Sequence, residues 1–90
     1  MTEELEKELY LEIGRRLTEE RKKRNMSVYA LAKKTGEQSI TINRIESGHR
    51  FNFHHAFWLV DLFGIDVTKI LTELKLKGEY DAGPDINDFI

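Results

Sequence analysis

The sequence predicts an all-α domain of five helices, one long and four short, followed by a short irregular C-terminal tail. Two observations carry that prediction. Apolar residues recur at helical spacing in five successive stretches, and helix-ending residues separate them, with Asn25, Gly36, Gly48 and Gly64 at the joins. Ninety residues suit one small domain, and a hydrophobic content of 40% is enough for a compact core of marginal stability.

The first helix is expected over residues 3–24. Leu5, Leu9, Ile13 and Leu17 step by four, Tyr10 widens the stripe, and the Glu-rich start suits the helix dipole. The basic run Arg21-Lys22-Lys23-Arg24 falls at the helix C-terminus, where cations are favoured in any case. For Lys22 and Lys23 a solvated helix end and a phosphate-facing role stand level.

Residues 27–48 read as two short helices around a tight turn at Thr35-Gly36-Glu37. Ser27 is an N-cap whose side-chain oxygen can take an orphan N–H. Val28, Leu31, Ala32 and Thr35 then form one face, and Gly36 supplies the positive φ of a sharp stop. The next helix buries Ile42 and Ile45. Helices this short need the flanking ones to hold them. On a wheel of about 100° per residue, Ile40, Arg44 and Ser47 fall opposite the buried pair. Asn43 and Thr41 flank them, and Ser39 lies near the start. Such a face carries donors and acceptors that suit base edges, with Ile40 placed for a thymine methyl. It equally fits a solvated helix face with one stray Ile, and pattern alone does not separate the two.

Helix 4 is expected over about residues 53–63, capped by Asn52, with Phe57, Val60 and Phe63 inward and Trp58 and Leu59 beside them. Gly64 ends it. Helix 5 runs from about Asp66 to Leu74, with Val67, Ile70, Leu71 and Leu74 on one face that a core and a twin subunit both claim. Leu74-Lys75-Leu76-Lys77 alternates like a short edge strand, and Gly83-Pro84 forces a turn. The acidic end, residues 85–90, holds three apolar residues and reads as a free terminus or as a segment docking on a partner.

Composition excludes several functions. Without cysteine there is no disulfide, thiolate metal site or cysteine nucleophile. His49, His54 and His55 lack ligand spacing, since adjacent helical side chains point about 100° apart, so no metal is expected. No phosphate loop or nucleophile–base pair is present, so neither enzyme activity nor a cofactor is expected. The acidic N-terminus argues against a secretory signal, and the run 56–60 is too short to cross a bilayer. A soluble cytoplasmic protein without membrane contact is the expectation.

Charge is unevenly spread along the chain. Residues 1–9 hold one Lys against four Glu (−3), residues 10–50 ten Lys or Arg against five Glu (+5), and residues 51–90 three Lys against seven acids (−4). Local charge sets phosphate attraction, because the Debye length is about 8 Å at physiological salt.

Ile13-Gly14, Leu17 and Arg21, then Leu31-Ala32, Thr35-Gly36, Ile42, Arg44-Ile45-Glu46, Ser47-Gly48 and Leu62-Phe63-Gly64-Ile65, form a familiar series. Through them residues 13–71, about two thirds of the chain, resemble the phage-repressor/Cro-like (XRE-type) helix-turn-helix domain. The resemblance implies a five-helix lambda-repressor-like DNA-binding domain over residues 1–74, an acidic tail over 75–90, and a second helix lying in the major groove. It implies base reading by Gln38, Ser39, Ile40, Thr41, Asn43 and Arg44, phosphate contacts from Ser27 and Arg50, and a structural Arg21–Glu46 salt bridge. Four features depart from the family pattern. Val28 stands where Gln is usual, Glu37 where a small apolar residue is usual, Gln38 where Ser or Thr caps, and Phe51-Asn52 where Asn-Pro is frequent.

Two functions follow as expectations. The first is a sequence-specific regulator of transcription, a repressor binding palindromic double-stranded DNA as a homodimer through helix 5 or the tail. The second is a protein-interaction module or antitoxin that keeps the fold. Arg44, Asn43 and the positive central block favour DNA, whereas Val28, Glu37 and the acidic ends favour the alternative.

Overall fold

A computed structural model describes residues 2–77, without the side chains of residues 53–55. Five helices follow in order: α1 (Glu3–Lys23), α2 (Val28–Thr35), α3 (Ser39–Glu46), α4 (Phe53–Leu62) and α5 (Val67–Lys77). No strand occurs among the described residues. None of their helices is long and apolar enough to cross a membrane.

The long α1 is the beam of the fold. Thr2 caps it, its Oγ1 accepting from the Leu5 N–H at 3.1 Å, and Glu3, Glu4 and Glu6 face the positive end of the dipole. The expected stripe is realised, since Leu5, Leu9, Tyr10, Ile13 and Leu17 are all buried. Asn25 leaves the helix in the left-handed region at φ 55°, as its short polar side chain tolerates.

Two packed clusters meet on this beam. Leu17 joins Leu31 and Ala32 of α2, Ile42 and Ile45 of α3, and Ala56 and Leu59 of α4. Leu9 and Ile13 join Val60 of α4 and Ile70 of α5, with Val67, Leu71 and Leu74 packed partly against them. The buried side of α4 thus spans both clusters. An ion pair between Arg16 and Glu73 at 2.8 Å ties α5 to α1.

Two expectations need correction. Phe57 does not point inward; it is 63% exposed, while Ala56, Leu59 and Val60 are buried. Weighing the aromatic side chains places the inward face about half a turn-step from where it lies. Ala56 is small enough to let the helix backbone approach the core, so the face turns toward Ala56 and Leu59. Residues 74–77 are not strand-like, because α5 continues through Lys77. Leu74 extends the helical stripe of Ile70, and four residues of alternation do not outweigh it. The turn at Gly83-Pro84 and the acidic end lie outside the described residues.

Candidate nucleic-acid interface

The unit from Ser27 to Gly48 is built by local chemistry. The Ser27 Oγ accepts from the Ala30 N–H at 3.0 Å and starts α2. Gly36, at φ 79°, donates its N–H to the Ala32 carbonyl at 2.8 Å and stops it. Thr35 donates its hydroxyl to the Leu31 carbonyl at 2.7 Å, closing the turn from the other side. Gln38 sits at the N-cap of α3 with extended backbone and no side-chain capping bond, which leaves its amide free for other contacts.

α3 is clamped along its inner side and at its C-terminal end. Ile42 and Ile45 are buried. Glu46 accepts two bonds from Arg21, from Nε at 2.7 Å and from Nη2 at 2.9 Å, while Arg21 Nη1 donates to the Met26 carbonyl at 2.7 Å. The salt bridge implied by the family resemblance is therefore present, bidentate and buried, and it also ties down the α1–α2 loop. The bond to Glu46 raises the Arg21 pKa above its already high value, so the guanidinium stays charged throughout. α1 meets α3 backbone to backbone at Gly14. A Cβ there would lie 2.3 Å from the Ile45 carbonyl oxygen and 2.8 Å from that of Glu46, so only glycine fits.

The outer side of α3 carries the residues expected to read bases. Ile40 is 55% exposed, Gln38, Asn43 and Arg44 are exposed, and Ser39 and Thr41 are half-buried. Arg15, Arg16, Arg21, Arg24 and Arg50 each hold a carboxylate partner. The Arg44 side chain makes no ion pair or hydrogen bond with any described residue.

The expected phosphate contacts are placed less simply. Ser27 is exposed, but its oxygen already serves the cap, so only its O–H remains to donate. Arg50 follows α3 in the loop to α4 and is paired with Glu6 of α1 at 2.5 Å. In the basic run, Lys23 and Arg24 share Glu20, and Arg24 also lies 4.7 Å from the Phe63 ring centroid. Lys22, Lys33 and Lys34 are exposed.

Sequence reasoning passed over two residues here. Tyr29 is 71% exposed on the outer side of α2, one helical turn before Lys33. Its signal is the wheel, which sets it away from Leu31 and Ala32. Glu6 shares a side of α1 with Tyr10, but nothing in the sequence reveals that the α3–α4 loop lies opposite. Among the described residues no group of three His, Asp or Glu is placed to hold a metal ion.

A tight two-helix unit seated on a long first helix, with one polar face turned outward, defines the helix-turn-helix class. A family model described as helix-turn-helix matches residues 17–70, and the chain belongs to this Cro/XRE-type family of DNA-binding regulators. No curated protein and no solved structure matches the chain significantly.

Proposed function

We propose that the protein is a transcriptional repressor that reads a palindromic operator through α3. The observation that carries this reading is Arg44, the one arginine whose side chain pairs with no other described residue, beside exposed Asn43 and Ile40. A guanidinium at this position suits a bidentate contact with guanine, Asn43 suits adenine, and Ile40 a thymine methyl. Gln38, Ser39 and Thr41 extend the same surface toward flanking bases, and Ser27 and Arg50 fix register on phosphates. Two copies pair through α5 or the acidic tail over 75–90, so that half-sites lie about 34 Å apart. Such a regulator works in the cytoplasm on double-stranded DNA and needs no cofactor.

Selection from random duplex DNA at two salt concentrations tests this. The expected result is an enriched palindrome with a steep salt dependence. Weak binding without enrichment, lost at modest salt, would sink the proposal.

A second reading, a protein-interaction module or antitoxin, has one observation behind it. The outer side of α4 exposes Phe57, Trp58 and Leu62 around Asp61, and neighbouring exposed apolar side chains of this kind suit a protein partner.

A further inference from the structure

The part of α1 that precedes the family match packs on the loop following α3. Gly48, at φ 85°, lies so close to Leu11 that an added Cβ would sit 2.4 Å from its Cδ2. The Tyr10 hydroxyl donates to the Phe51 carbonyl at 3.2 Å, and the two rings meet edge to face with centroids 5.0 Å apart. Between these contacts Arg50 reaches back to Glu6. Glu3, Glu6 and Lys7 of α1 face Gly48 and Arg50 across an open recess of about 210 Å³.

This pair differs in kind from the Arg21–Glu46 bridge. The Arg21 and Glu46 side chains are 11% and 10% exposed, whereas Arg50 and Glu6 are 78% and 30% exposed. A solvent-facing ion pair is weak and exchangeable, and a carboxylate presents the same acceptor geometry to a guanidinium as a phosphate does.

We propose that Glu6 is an internal competitor for the DNA phosphate at Arg50, an inference that rests on the DNA-binding reading above. In the free protein Glu6 neutralises Arg50. On DNA the guanidinium must leave it or share it, with the released carboxylate held near the phosphate backbone. The contact involves phosphate alone, so Glu6 lowers affinity for all duplexes equally and leaves sequence preference unchanged. The pair acts as a fixed brake on non-specific binding.

A double-mutant cycle on the full chain tests it, using Glu6→Gln, Arg50→Ala and both together, against the selected operator and a random duplex. Glu6→Gln is expected to tighten both by about two- to fivefold, the range open to an exposed pair. Arg50→Ala should weaken both, and Glu6→Gln should then tighten binding no more than the removal of a carboxylate elsewhere on α1 does. Glu4→Gln removes the same charge two residues earlier on α1, outside the recess, and should tighten binding less. Equal tightening by Glu6→Gln with and without Arg50 would reduce Glu6 to general charge and overturn the proposal. Unchanged or weaker binding would make Glu6 a positioning residue and also overturn it. Operator binding by the wild type alongside either result spares the repressor reading, whereas a wild type that binds no duplex ends both.

Discussion

α3 and α4 are two short helices resting on the same core with opposite outer faces. α3 buries Ile42 and Ile45 and turns out Asn43, Arg44 and Ser47 around one isoleucine. α4 buries Ala56, Leu59 and Val60 and turns out Phe57, Trp58 and Leu62 around Asp61. Inner faces this alike cannot tell the two helices apart in function; the outer faces can. A polar surface with an unpaired arginine suits ligands rich in hydrogen bonds, whereas an aromatic one suits apolar partners. The difference shows where this fold keeps its chemistry, on surfaces that packing leaves unused.

The contrast breaks most severely at the seat of α3. Arg21→Ala leaves the Glu46 carboxylate, only 10% exposed, without its partner and is expected to cost about 3–5 kcal/mol in chemical denaturation, enough to unfold much of a domain this small. Arg44→Ala, on the opposite side of the same helix, should leave the melting temperature unchanged. It should cost about 1–3 kcal/mol of discrimination between operator and variant sites in titrations, the size of a bidentate base contact. If both substitutions moved stability alike, the division of α3 into a seat and a reading face would be wrong.

Away from both faces, Glu12 bridges Arg15 and Arg16, and these bonds, that to Arg15 foremost, hold its carboxyl below the ordinary value of 4.5. A depressed folded pKa contributes stability above the unfolded value and loses it as pH falls through the folded one. Glu12→Gln should therefore cost about 0.5–1 kcal/mol near pH 7 and converge on wild type in acid-denaturation series well below pH 4.5. The smallest effect is expected on α4. Phe57→Ser should change folding stability by less than about 0.5 kcal/mol, because the ring is already in solvent. A loss of several kcal/mol in thermal melts would return Phe57 to the core.

Much of the helix-turn-helix unit was legible because its determinants are local. Ser27, Gly36 and the Ile42–Ile45 pair act over one or two turns, and each does in the structure what its residue type demands. The Arg21–Glu46 bridge spans 25 residues and was reachable only through the family resemblance. The orientation of α4 was not legible, because Ala56 contributes by being small, and size alone leaves no hydrophobic signature. The Arg50–Glu6 pair was hidden for another reason. It depends on how far α1 extends past the loop, a matter of tertiary placement rather than of any motif.

The close approach at Gly14 bears on redesign. The backbone approach and the ion pair that locate α3 on α1 fall at the C-terminal turn of α3, at the Ile45 and Glu46 carbonyls and the Glu46 carboxylate, with Ile42 packed beside Leu17. Residues 38–41 and 43–44 take no part in it. Their side chains can be exchanged as a set, as in a library built to retarget binding, without disturbing how the helix is mounted. Position 14, by contrast, tolerates no passenger, and a single alanine there would shift every member of such a library at once.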